Sequence, residues 1–241
     1  MTELVSDTAM IMAAGLGRRM LPLTEHKPKP LIEVAGRPLI DFMLDHLHDA
    51  GIENAVVNLH HFPEQMEAYL SGRHHPAVRF SDERAQLLET GGGMIKAWRA
   101  GLLPDPFFCL NSDNVWIDGP RNTLLDLSDA WEAERMDALL LLVPRERAHQ
   151  HRGRGDFHLE PDMRLRRRGP DDESAPFIYI GAQIVAHRLL RDAPEGPFST
   201  MVLWERAMAE GRLFGVIHSG EWFDLGTPEA IAPAEAALAG A

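Results

Sequence analysis

Apolar positions alternate along this chain between short continuous runs and helical spacings, and that rhythm predicts its elements. Residues 9–12 form a short apolar run, read as a strand that leads straight into a stretch of small residues. Leu39, Ile40, Met43, Leu44 and Leu47 then fall on one helical face, with Pro38 at the first helical position and Gly51 as the stop. "AVVNL", residues 55–59, reads as a buried strand, 63–70 as a shorter helix and 78–80 as another strand. Residues 91–103 follow as a helix with Ile95, Trp98 and Leu102 on roughly one side. "FFCLN", 107–111, is the next strand, 121–136 is helical, and "ALLLLV", 138–143, is a strand buried on both faces.

After Pro144 the pattern turns polar, basic and rich in turns, with short strands suggested by "DFHL" and "MRL". This reads as a β-rich insertion over about 144–176. Strand-like sequence returns at 177–184, a helix at 199–210, a strand at 213–217 and a terminal helix at 228–239. The expected architecture is α/β: one Rossmann-like domain over 1–241, with a predominantly parallel mixed sheet flanked by helices. No internal repeat or interdomain linker is visible.

Composition narrows the partners. The chain has 241 residues and a formal charge of −12, from 36 acidic and 24 basic side chains. That balance opposes coating nucleic acid or an anionic membrane, and leaves small anions bound by a local basic cluster. Cys109 is the single cysteine, so no internal disulfide or multi-cysteine metal cluster is expected, and its apolar neighbours mark it as a core residue. The first ten residues carry acids and no basic segment, which is unlike a signal peptide. The longest strongly apolar run, 138–143, is far short of the ~20 residues a membrane-spanning helix needs. A soluble, cytoplasmic protein is expected.

The candidate chemistry begins in "MAAGLGRRMLPLTEHKPKPL", residues 12–31. A glycine loop between strand and helix offers unpaired backbone N–H groups to a phosphate, and Gly15 and Gly17 allow its tight turn. A dinucleotide loop lacks its third glycine here, and Glu33 is only a weak acidic partner for one. A P-loop lacks its Gly-Lys-Ser/Thr ending. A plain turn with solvated arginines stays open on "GLGRR" alone. "HKPKPL" shifts the balance, because prolines on both sides of Lys29 restrict the backbone and aim a compact positive charge.

The whole stretch resembles the signature of the sugar-1-phosphate nucleotidyltransferases, AAG-x-G-x-R-M-x-P-L-T followed by P-K-P-L. The resemblance continues to the C-terminus. It implies that Ala13, Ala14, Gly15, Leu16, Gly17 and Arg18 wrap a nucleoside triphosphate, and that Arg19 and Lys29 are the catalytic cations. "LNSDNVWID" places Asp113 just past a buried strand, and "EWFDLGTPEA" places Asp224 after an aromatic stretch. Taken singly, Asp113 reads better as a turn aspartate and Asp224 as a turn or cap residue before Pro228. Two phosphate substrates repel one another, and a hard divalent ion with carboxylate ligands relieves this. The resemblance puts the Mg2+ ligands on Asp113 and Asp224, with Ser112 standing where the family usually has glycine. The histidine-rich "LHHF" and "RHHP" lack a zinc spacing and read as surface.

By the same resemblance Glu89, Gly91 and Gly92 in "LETGGG" lie near the base. Gly155, Asp156, Tyr179, Gly181 and Glu205 fall on the sugar side with Asp113 and Asp224. Phe177 reads as core, and the arginines at 164 and 166–168 as a solvated basic strand. "LETGGG" and "GDFHL" look like the branch that joins UTP to N-acetylmuramate 1-phosphate, giving UDP-N-acetylmuramate and pyrophosphate. The alternatives are GTP with mannose 1-phosphate, and a catalytically silent regulator that binds nucleotide sugars. The chain ends at Ala241 without the left-handed β-helix of acetyltransferase-fused relatives, so no second activity and a compact monomer are expected.

Overall fold

The computed structural model describes residues 4–239. Its first half contains β1 (Thr8–Met12), the two-residue strands β2 (Glu33–Val34) and β3 (Arg37–Pro38), and α1 (Leu39–Ala50). There follow β4 (Asn54–Leu59), α2 (Pro63–Leu70), β5 (Ala77–Asp82), α3 (Glu89–Arg99) and β6 (Phe107–Asn111). The middle holds β7 (Asn114–Ile117), α4 (Thr123–Ala130), β8 (Ala138–Pro144), β9 (Ala148–His149), β10 (Phe157–Leu159) and β11 (Leu165–Arg167). The last part is β12 (Phe177–Val185), α5 (His187–Leu190), α6 (Met201–Ala209), β13 (Leu213–Ile217), β14 (Glu221–Asp224) and α7 (Ile231–Leu238).

The main layer runs β13–β8–β12–β6–β1–β4–β5, and along that path only β12 opposes its neighbours. Strands such as β1 and β8 are apolar without alternation because both sheet faces are covered. α1 and α4 pack on one face and α3 and α6 on the other, giving two apolar clusters with the sheet between them. Gly51 ends α1 in the left-handed region, φ 86°, with its N–H and that of Ile52 returned to His48 and Leu47 carbonyls. Cys109 is buried in β6, and burial pushes its thiol pKa up to about 12, which suits an inert core residue.

β1 has β4 on one side and β6 on the other, so the chain departs in both directions from the carboxyl ends of these strands. Such a switch point opens a crevice for ligands. A second sheet, β7–β14–β9, stands beside it, and β10–β11 extends the far end of β12. The sequence pattern carried no strand for β7, β9 or β14, because they are short and the apolar residues of β7 pack against α1 rather than alternating cleanly.

Several expected boundaries move, among them the start of the terminal helix, which follows a 3-10 turn over Pro228–Ala230. The helix expected over 121–136 stops at Ala130. Trp131 is extended, and Met136 N donates to Glu132 O in a turn that brings Asp137 N onto Arg212 O at the start of β8. The helix expected over 91–103 runs Glu89–Arg99, because Gly101 at φ 70° reverses the chain. Pro38 sits one residue before α1, in β3, instead of at its first position.

Candidate active site

The glycine loop leaves β1 with one anchor: Ala13 N donates to Asn58 Oδ1 at 2.6 Å. The next N–H groups, residues 14–19, have no acceptor in the protein among the described residues. A Cβ on Gly15 would meet nothing within 4 Å, so this side of the loop is open. Gly17 does the opposite. At φ 60°, a Cβ there would lie 2.8 Å from Thr24 Cγ2 and 3.1 Å from Lys29 Cβ. The loop therefore closes onto Thr24, whose hydroxyl donates to Gly17 O at 2.8 Å, and rests on the stem of Lys29. A 3-10 turn, Arg18–Met20, buries Met20 and turns both arginines outward.

Lys29 starts a second 3-10 turn, where Pro30 occupies a position that needs no N–H. Its side chain is 11% exposed, and Nζ lies 2.5 Å from Asp113 Oδ2. Asp113 stands in the bend between β6 and β7. The antiparallel ladder of β7 and β14 pairs Asn114 with Asp224, which brings the two aspartates to the same edge. Asp224 Oδ2 is 2.8 Å from His151 Nδ1. Burial would raise the Asp224 pKa, but the His151 hydrogen bond and the charges of His151, Arg19 and Lys29 outweigh it and hold the carboxyl below its usual range. A Cβ on Gly226 would be 3.0 Å from both Arg19 Nη1 and Asp224 Oδ1, so the missing side chain lets these two groups converge.

These groups border one crevice. A cavity of about 700 Å3 is walled by the loop residues Ala13, Ala14, Gly15, Leu16, Gly17, Arg18 and Arg19, by Lys29, and by Ser112 and Asp113. Asn58, Leu87, Glu89, Thr90 and Ser199 complete it. Asp224 borders an adjoining cavity of about 630 Å3 that shares Arg19 and Gly226 with the first. Among the described residues no group of three or more His, Cys, Asp or Glu is arranged to hold a metal ion. The donor set is two carboxylates, which fits a hard cation that takes its other oxygens from phosphate and water, and not a site enclosed by protein.

Other candidates are placed elsewhere. Gly91 and Gly92 do not face the crevice: a Cβ would meet Phe198 Cε2 at 2.4 Å and Gly196 O at 2.5 Å. Their bare backbones instead let α3 dock on the loop before α6, where Gly91 N donates to Phe198 O at 2.8 Å. Gly155, at φ 80°, fits under Ala175 O, and Asp156 accepts from Tyr179 N at 3.0 Å, so both shape the junction of β10 with β12. The Tyr179 ring packs edge-on to Trp204 with centroids 4.8 Å apart. Gly181 sits where β12 shifts register, and its carbonyl accepts from Asn114 Nδ2 at 3.1 Å, directly behind the aspartate bend. Glu205 is on an exposed face of α6, paired with Arg167. None of these seven lines the large cavity.

Several wall residues escaped the sequence reading. Asn58 had a signal, an amide inside the apolar run "AVVNL", but Thr90, Ser199 and Gly226 had none of their own. His151 lies in the polar insertion and is recognisable only once Asp224 is beside it.

An α/β sheet with a glycine loop, a buried lysine and two carboxylates at its switch point defines a protein that handles nucleotide phosphates. The chain belongs to the family of the MobA-like NTP transferase domain, whose model matches residues 9–210. It is 44% identical over 235 residues to the N-acetylmuramate alpha-1-phosphate uridylyltransferase of Caulobacter vibrioides, covering 96% of each chain. It is 34% identical over 241 residues to the enzyme of the same name from Neisseria meningitidis, covering 97% of this chain and 98% of that one. A solved UDP-glucose pyrophosphorylase bound to UDP-glucose superposes with a TM-score of 0.79 over 98% of this chain and 99% of that one, at 15% identity, which speaks to the fold alone. No helix of the described residues is long and apolar enough to cross a membrane.

Proposed function

We propose that this chain joins UTP to N-acetyl-α-muramate 1-phosphate, giving UDP-N-acetylmuramate and pyrophosphate, in the cytoplasm and as a monomer. The observation that carries the phosphate chemistry is the convergence of Arg19, Lys29, Asp113 and Asp224 beside a loop of free N–H groups. The names of the two near-full-length relatives support the choice of base and sugar.

In this reading an oxygen of the sugar 1-phosphate attacks the α-phosphorus, and the bond from that phosphorus to the pyrophosphate oxygen breaks. The attacking group is already ionised near neutrality, since a second phosphate pKa is about 6, so no general base is needed. The loop N–H groups and Arg19 hold the β- and γ-phosphates. Lys29 donates to the α-phosphate oxygens, leaving its contact with Asp113 as it does so. Asp113 and Asp224 hold Mg2+, which supplies charge neutralisation between the substrates when bound. The protein's share is alignment and electrostatic stabilisation.

The test is pyrophosphate release across four nucleoside triphosphates crossed with several sugar 1-phosphates, including N-acetylmuramate and mannose 1-phosphates. The expected result is a clear maximum for UTP with N-acetylmuramate 1-phosphate. A maximum for GTP with mannose 1-phosphate would replace the substrate pair. Release from no pair would leave a protein that only binds nucleotide.

A further inference from the structure

Glu83 follows β5 directly and is 0% exposed, with no cation at ion-pair distance among the described residues. Its oxygens are divided between two parts of the chain. Oε1 accepts from Asn58 Nδ2 at 2.7 Å, and Oε2 accepts from the backbone N–H of Leu88 at 3.2 Å. Asn58 passes the connection on, since its Oδ1 accepts from Ala13 N at 2.6 Å. Ala13 opens the glycine loop on one wall of the cavity, and Leu88 lies between Leu87 and Glu89 on another. Gly93 makes room for the pair: a Cβ there would sit 2.6 Å from Glu83 Oε1 and 3.0 Å from Asn58 Nδ2.

The polarity of this chain of bonds admits few side chains. An asparagine amide has one accepting and one donating end, and the loop N–H needs the accepting end. The other end and the Leu88 N–H are both donors, so the group between them must accept twice. A carboxylate does so, and its burial is tolerated because both oxygens are bonded. A carboxylic acid in the core with no role in holding the cavity would not need to reach both walls.

We propose that Glu83 is a positioning residue that ties the phosphate loop to the 87–90 segment, so that a nucleoside triphosphate meets both walls already set. The proposal rests on reading the cavity as the triphosphate site. Glu83 touches no substrate; it acts through Asn58 and Leu88.

The test combines kinetics with amide hydrogen exchange on the free full-length protein. In Glu83→Gln one end of the new amide is a donor, so either the Asn58 or the Leu88 bond is lost. KM for UTP is expected to rise about tenfold, from one lost hydrogen bond to a charged group, with a smaller change in kcat and in KM for the sugar 1-phosphate. Exchange over 13–17 and 87–90 is expected to speed up together. Adding Asn58→Asp to that variant restores every bond, with only the one between 58 and 83 reversed: the new carboxylate accepts from Ala13 and from the glutamine amide, whose carbonyl accepts from Leu88. Exchange of both segments should then return to the wild-type rate. Gly93→Ala displaces the pair by its methyl group and should loosen the same two segments.

Unchanged exchange and UTP KM in Glu83→Gln would overturn the proposal. So would loosening spread evenly over the sheet that Asn58→Asp does not reverse. Where Glu83→Gln fails to fold, the double variant and Gly93→Ala decide the question by the same readouts. Absence of turnover in the wild-type protein would sink the functional reading instead, and the exchange comparison would still decide the role of Glu83.

Discussion

Two walls of the phosphate crevice are built by different means. One is local: the glycine loop and Lys29 come from a single short segment, closed on itself through Gly17, Thr24 and the lysine stem. The other is assembled: Asp113 leaves the main sheet, Asp224 leaves the second sheet, and only the β7–β14 register brings them together. The local wall presents free donors and positive charge. The assembled wall presents carboxylates already engaged by Lys29 and His151. The local motif therefore closes its own turn and is tied to the rest of the fold through Asn58, whereas the carboxylate pair depends on the packing of two sheets.

The largest effect expected is on the local wall. Lys29→Met should lower kcat by on the order of 10²–10³-fold, the size of losing one donor aimed at developing charge. Its melting temperature should change little, because the abandoned Asp113 carboxylate is one-third exposed and can be solvated. Steady-state kinetics beside a melting curve checks this, and turnover near wild type would remove lysine from the reaction. Asp113→Asn and Asp224→Asn should each cost about a hundredfold in kcat/KM, with part of the loss recovered at raised Mg2+ concentration. A loss at only one of the two would break the symmetry of the assembled wall.

That same division explains what the sequence disclosed. β1, β4 and β8 follow from continuous apolar runs and α1 from its helical spacing, each legible from its own residues. The glycine loop was legible as a loop, yet its nucleotide role came from resemblance, since two glycines fit several turns. β7 and β14 left little trace, being four residues each and partnered only by each other and by β9. Resemblance put Gly91 and Gly92 near the base, but the space left by these and Gly93 is filled by Phe198, the Gly196 carbonyl and Glu83. Only the tertiary neighbour decides between those readings.

Two stability effects of middle size probe the packing behind the assembled wall. Gly181→Ala puts a Cβ 2.3 Å from Asn114 Nδ2 at φ 80°, and should cost about 2–3 kcal/mol, read as a fall in melting temperature of roughly 5–10 °C. Asp118, beneath β7, accepts from Trp116 Nε1 at 3.0 Å and from Thr123 N at 3.2 Å. Burial alone would raise its pKa, but hydrogen bonds from His46 and Thr123 and the nearby His46 charge pull it down to about 2. A carboxyl depressed in the folded state stabilises above its unfolded pKa, about 4, and that contribution is lost as pH falls toward 2. It amounts to about 2 kcal/mol at neutral pH. Urea titrations across that window should show Asp118→Asn weaker than wild type at pH 6 and nearly equal to it at pH 2; a difference independent of pH would reject the carboxylate as the cause.

The smallest effect belongs to Glu205, whose assignment to the sugar side came from resemblance alone. It is about half exposed, on α6, and its partner Arg167 is equally exposed on β11. An ion pair in that setting gains little Coulomb energy in water and loses side-chain entropy, so its usual contribution is below about 1 kcal/mol. Glu205→Ala should leave stability within about 0.5 kcal/mol and KM for the sugar 1-phosphate within about twofold. A tenfold rise in that KM with an unchanged KM for UTP would mean that β11 and α6 close over the sugar in the working enzyme. The crevice would then have a further wall, set by neither the loop, the 87–90 segment nor the β7–β14 register.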